Sequence, residues 1–193
     1  MFRVLAAVVL LAFAELAVAE TSSGPLDRLR AHVPVDLISG VPVSDIAGHY
    51  SSHPKELGRS PLSGNDLYLF PDGSYLYLEW ADVEPLTVRD KGTWTFSSSK
   101  VQLKSDPDVT WDPGAERTYL VVHRESKPAE VLLIGLGRAL SYFEEKADDD
   151  PNFMLLLVAK TRTESIHQKS AARIKAKLMR EGWKPEYFRA SEK

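Results

Sequence analysis

No cysteine occurs anywhere in the 193 residues. That excludes disulfide bridges, thiolate metal centres and a lipid-modified N-terminal cysteine. Beyond the first two dozen residues no apolar stretch is long and charge-free enough to cross a bilayer, which takes about 20 residues. No serine lies in a Gly-x-Ser-x-Gly elbow. The Ser-x-x-Lys spacing from Ser97 to Lys100 falls in a run of small polar residues that reads as a turn. A nucleophile with its base is therefore not visible, and a non-catalytic role is expected. Asp106, Asp108, Asp112 and Glu116 imitate a calcium loop, but Trp111 stands where the glycine belongs and Glu116 falls one position short. No cofactor is expected.

A surplus of positive charge is also missing. The formal net charge is −3, so nucleic acid is not an expected partner. The charge is unevenly placed, however. Residues 160–193 hold ten Lys/Arg against four Asp/Glu, and residues 20–159 hold thirteen against twenty-two. A basic tail on an acidic body either complements that body or meets an anionic partner. Complementing the body is the simpler expectation.

What the chain does have begins at its N-terminus. Arg3 precedes an unbroken apolar run from Val4 to Ala14, and Ala17-Val18-Ala19 fits a small-residue cleavage site. Residues 1–19 read as a secretory signal peptide, with export to the periplasm of a bacterium or to the outside of another cell. Residues 20–45 read as an extended lead segment with a short helix around Leu26–Arg30, broken by Pro34, Gly40 and Pro42.

Strand signals dominate residues 46–162. Residues 46–51 form a short apolar segment. Asp66–Phe70, Pro71-Asp72-Gly73 and Ser74–Trp80 read as strand, turn and strand. Gly92–Phe96 with Val101–Leu103, and Thr118–His123 with Val131–Ile134, make two further hairpins. Leu86–Val88 is an additional short strand. The continuous apolar run Phe153–Ala159 predicts a strand buried on both faces. Arg138–Lys146 predicts a short helix. Residues 163–193 predict a C-terminal helix and tail, the helix ending at Glu181, with Gly182 as its left-handed terminator and Trp183 folding back on Leu178. His167, Ala171, Ile174 and Leu178 form its apolar stripe, and Lys169, Arg173, Lys177 and Arg180 a cationic one. The fold class expected is mainly β: an antiparallel meander, closed or nearly closed into a barrel of about eight strands, with a C-terminal α-helix.

Gly48-His49-Tyr50 in the first strand, Arg162 past the last one and a long helix following it resemble the lipocalin-like families of exported barrels. Those families carry Gly-x-Trp at the first place and an arginine packed over the aromatic at the second. Tyr50 stands here for the tryptophan, and the central Thr-Asp-Tyr motif has no counterpart. The resemblance implies that Tyr50 and Arg162 touch and close one end, with Gly48 structural; Gly73 is structural as the positive-φ residue expected in the Pro71-Asp72-Gly73 turn. It also implies an apolar small molecule held inside the barrel.

The other candidates come from the residues themselves. Tyr75, Tyr77, Trp80 and Trp94 are the ligand-binding candidates. With Leu76, Leu78 and Trp80 inward, Tyr75 and Tyr77 would face outward, as a binding strip or, preferably, as cross-strand aromatic pairs. His49 and His53 are the metal candidates, but four residues along a strand set them about 13 Å apart, too far to share an ion unless the chain turns. The function expected is an exported binding protein. One rival reading is an interaction module of the cell envelope, of inhibitor or immunity type; the other is an enzyme without a recognisable motif.

Cleavage after Ala19 gives a mature chain starting at Glu20, which N-terminal sequencing of protein from the producing cell checks. An intact Met1 would refute it.

Overall fold

The computed structural model describes residues 25–33, 35–52, 62–109, 117–145, 150, 155 and 158–183. The leader, its cleavage site, His53, Trp111, Asp112 and Glu116 lie outside them. In chain order the elements are α1 (Pro25–His32), β1 (Val35–Leu37), α2 (Val43–Ile46), β2 (Gly48–Ser51), β3 (Ser63–Leu69) and β4 (Ser74–Ala81). Then come β5 (Glu84–Ser97), β6 (Lys100–Ser105), β7 (Thr118–Arg124), β8 (Lys127–Gly135), α3 (Leu136–Glu145), β9 (Ala159–Ser165) and α4 (Gln168–Arg180).

Strands β2 to β9 pair antiparallel in sequence order, and β9 pairs back onto β2. The result is a closed eight-stranded up-and-down barrel, a solution that removes open sheet edges. Strand β1 stays outside the ring. Strand β6 covers residues 118–120 of β7, and β1 takes over opposite 122–124. At the join the Val121 amide donates to Ser99 O and the Ile38 amide donates to Val121 O.

Three buried clusters show which way the side chains point. One gathers Tyr50, Leu67, Leu69, Tyr75, Trp94, Val101, Leu103, Tyr119, Val121, Val131 and Leu133. These come from seven of the eight ring strands, so only the barrel interior can hold them together. A second places Leu120, Val122, Leu132 and Ile134, the alternate residues of β7 and β8, under α1 and α3. The third places Phe70, Leu76 and Leu78 under Ala171, Leu178 and Trp183 of the α4 region, with Ile174 beside them. Both outer walls are thus roofed by helix.

Turn chemistry sets the hairpins. The Gly73 amide donates to Phe70 O at 3.0 Å, and Gly73 itself sits at φ +82. The Asp72 carboxylate accepts the Ser74 amide at 2.9 Å. Ser98 and Ser99 join β5 to β6 at φ 48 and 62, the two positive values that a two-residue primed turn requires. Helix α4 ends as its sequence reads: Gly182 has φ +96, and the Trp183 amide donates to Leu178 O at 3.1 Å.

Four expectations need correction. Within the run at 153–159 the described Leu155 and Val158 are helical rather than extended, and β9 begins at Ala159. A short apolar run buried all round cannot be told from helix by periodicity. Arg162 and Thr163 consequently lie within β9, and α4 starts at Gln168 because residues 164 and 165 are still paired with β2. His167 is an exposed residue at the helix start rather than part of the apolar stripe, and Ile166 is buried instead. Finally, Tyr75 and Tyr77 face inward and Leu76 and Leu78 outward. The helical roof makes both faces of β4 apolar, so alternation alone does not say which is inside.

Gly92 lies mid-strand at φ +155, where an added Cβ would run into the carbonyl oxygen of Lys104. Gly92→Ala should lose about 2–4 kcal/mol, combining backbone strain with overpacking. Urea denaturation of the two proteins measures it.

Candidate functional site

The two ends of the barrel differ. At one end the chain through α2 lies across the opening, and Ile46 and Ala47 join the interior cluster. The Tyr50 hydroxyl donates to Ile46 O at 2.5 Å. Tyr50 faces Arg162 across the β2–β9 register, and the Arg162 guanidinium donates to Asp45 O. Gly48 makes this packing possible, since a Cβ there would lie 2.8 Å from Arg162 Cδ. Burial pushes the Tyr50 phenol well up, and Arg162 offsets part of that rise. The hydroxyl therefore stays a donor at neutral pH. Trp94 completes this end. Its indole N–H donates to Phe70 O at 2.8 Å and its amide to Gly73 O at 2.7 Å.

Strand directions put the β2–β3, β4–β5 and β6–β7 connections at the opposite end. Here the inward positions turn polar. Lys160 is 7% exposed. It faces Leu133, an interior residue, across the β8–β9 register. Its ammonium donates to Asn65 Oδ1 and lies 5.2 Å from the centre of the Tyr77 ring. Tyr77 sits opposite Asp90 of β5 and Leu67 of β3. Asp90 is 4% exposed and accepts from the Tyr75 hydroxyl at 2.8 Å, the Ser105 hydroxyl at 2.9 Å and the Lys91 amide at 2.9 Å. Arg117 donates to Ser105 Oγ. Burial drives the Tyr75 phenol far above its ordinary range; Ser105 and Arg117 pull it back slightly and Asp90 adds to the rise. Tyr75 thus remains a hydrogen-bond donor whenever Asp90 is ionised.

At this end the described residues gather polar and charged side chains. They are an ammonium, an amide, two phenols, a carboxylate and a guanidinium in a wall of low dielectric, where charge interactions are stronger than in water.

The sequence-derived candidates scatter over the structure. Tyr75 and Tyr77 line the open end, and Trp94 fills the other. Trp80 is outside, donating to Asp66 Oδ2 at 3.1 Å. His49 is outside too. One ring nitrogen lies 2.9 Å from Asp66 Oδ1, the other 2.8 Å from Thr163 Oγ1, and the ring stacks on Tyr68 at 4.2 Å. With both nitrogens occupied, His49 is a cross-strand tie. His53 lies outside the described residues, among which no group of three or more His, Asp and Glu is placed to hold a metal. Lys160, Asn65, Asp90, Ser105 and Arg117 carry no sequence motif. Their one signal is register: Asp90 has the same strand parity as the buried Trp94. Protein-family models, curated proteins and solved structures contain no match to this chain.

The outer tie has a pH signature. Burial raises the Asp66 carboxyl, but hydrogen bonds from His49, Ser51 and Trp80 outweigh it and leave it below its ordinary range. A carboxyl lowered in the folded state adds stability above its unfolded pKa of about 3.9, and that gain is lost as pH falls through the folded value. Asp66→Asn should therefore flatten the acid limb of stability below about pH 4. Urea midpoints between pH 6 and pH 2 test this, and an unchanged slope would refute it.

Proposed function

We propose that this chain is an exported, non-catalytic binding protein that takes the polar head of a small amphipathic molecule at the open end of its barrel. The observation that carries the reading is Lys160. A cation set into the barrel wall with 7% exposure, between Asn65 and the Tyr77 ring, is expensive to desolvate. An anionic head that reaches this ammonium would gain a charge-assisted hydrogen bond. Tyr77 offers its ring to the part of the ligand next to the head, and Arg117 adds a second positive group nearby.

The reading shifts the ligand from where the lipocalin-like resemblance puts it. The closed half of the interior is occupied by the chain's own rings, Tyr50, Trp94 and Tyr119 among them. A wholly apolar guest deep inside is therefore the less favoured form. Export rests on Arg3, the apolar run Val4–Ala14 and Ala17-Val18-Ala19.

Titration with laurate, followed by tryptophan fluorescence and native mass spectrometry, tests the proposal. Saturable binding is expected, with dodecanol binding more weakly. Lys160→Met, shown by its melt to be folded, should bind laurate at least tenfold less tightly, a loss of about 1.4 kcal/mol. No saturable binding of either compound, or equal binding by the variant, would overturn it.

A further inference from the structure

Helix α4 presents two faces of different use. Its inner face is spent on the barrel wall: Ala171 and Leu178 are buried and Ile174 packs beside them against Phe70, Leu76 and Leu78. Lys175 also belongs to this docking, because its ammonium pairs with Asp72 and lies 4.8 Å from the Phe70 ring centre. The outer face carries Lys169, Arg173, Lys177 and Arg180, all exposed. Lys177 is 3.9 Å from the Glu181 carboxylate. Among the described residues no carboxylate lies in ion-pair reach of Lys169, Arg173 or Arg180. Between the two arginines a shallow groove is floored by Ala176 and Met179, and Met179 is 45% exposed.

We propose that this groove docks an acidic α-helix of a partner protein. Arg173 and Arg180 are two helical turns apart, about 10.5 Å along the axis. A second helix laid alongside repeats the same spacing, so carboxylates two turns apart meet both guanidiniums, with an apolar residue between them on Met179. An extended strand does not match, because its same-face positions recur at about 6.6 Å and 13 Å. Guanidinium forks favour carboxylates in bidentate geometry, and arginine and methionine are enriched at protein interfaces. Methionine adapts its shape to an apolar neighbour.

A lipid surface fits less well. The outer face has no Trp, Phe or Leu to enter the headgroup layer. Residues 20–159 carry nine more acidic than basic side chains (twenty-two against thirteen), which an anionic bilayer repels. A single helix face makes a small interface, so the docking is transient.

The test places a photo-crosslinking phenylalanine analogue at Ala176 of the full chain in the cell that produces it. The expected product is an adduct whose cross-linked segment is helix-periodic and acidic at two-turn spacing. That adduct should disappear with Arg173→Glu and Arg180→Glu together, while the melting temperature stays within a few degrees. The proposal is overturned by an adduct to another copy of this chain or to lipid, by an adduct that survives the charge reversal, or by none at all. Purified protein binding phosphatidylglycerol vesicles at physiological salt, with that binding abolished by the same reversal, would also overturn it. Laurate binding at the barrel mouth does not depend on these arginines, so the two proposals fail separately.

Discussion

Strand β9 must bond on both sides at once, and this constraint organises the molecule. Its seven residues, Ala159–Ser165, pair with β8 through residues 159–161 and with β2 through residues 161–165. Without it β2 and β8 would both end in unpaired amides and carbonyls, and the barrel would be an open sheet with two edges. Backbone pairing rather than hydrophobicity makes this strand, since Lys160-Thr161-Arg162-Thr163-Glu164-Ser165 contains no aliphatic residue. Alternation then forces some of those polar side chains into the barrel. Lys160 enters near the open end and Arg162 near the shut one. The ring-closing strand therefore supplies both the candidate binding cation and the arginine that seals the other end.

The shut end shows how a polar group is accommodated inside. The Arg162 stem crosses the bare Gly48 backbone, and its guanidinium meets Asp45 O. Tyr50 uses its hydroxyl on Ile46 O. The Arg162 guanidinium and the Tyr50 hydroxyl each find a backbone carbonyl, which is what makes their placement inside tolerable. The same accounting holds at the other end, where Asp90 collects three donors from Tyr75, Ser105 and Lys91. A fully bonded carboxylate of this kind stiffens the strands β4, β5 and β6 around the mouth. Rigid walls keep Tyr77 and Lys160 in place before a ligand arrives, which lowers the ordering cost of binding.

Much of the fold was legible because its signals are local. The Pro71-Asp72-Gly73 turn, the Gly182 terminator and the even spacing of short strands each follow from a few neighbouring residues. The Gly48, Tyr50 and Arg162 arrangement was legible through resemblance, although Arg162 belongs inside the last strand. The strand β9 itself was not, because it is polar and follows an apolar run that looks more like a strand than it does. The inward face of β4 was not legible either. Tyr75-Leu76-Tyr77-Leu78 is apolar at every position because α4 covers the outside, and a strand covered on both faces loses its periodic signal. The open-end site was invisible for a further reason. Asn65 and Lys160 are 95 residues apart, and Tyr75, Asp90 and Ser105 come from three different strands. Register brings them together, and no spacing in the sequence encodes register over such distances.

The charge asymmetry reads differently once the helix is placed. A basic tail could have spent its cations on the acidic barrel, yet among the described residues Lys175 is the one cation of α4 that reaches a barrel carboxylate, that of Asp72. Docking relies instead on Ala171, Ile174 and Leu178, whose burial does not require the outer cations. Like charges at Lys169, Arg173, Lys177 and Arg180 even weaken the helix slightly through repulsion at four- and three-residue spacing. A folded domain gains nothing from leaving such a row and Met179 in solvent together. The row becomes useful only when an acidic surface approaches, where steering raises the encounter rate and the guanidiniums fix orientation. Because α4 is anchored beside the Pro71–Gly73 turn, at the end away from Lys160 and Tyr77, the proposed partner and the proposed ligand would not compete for the same surface.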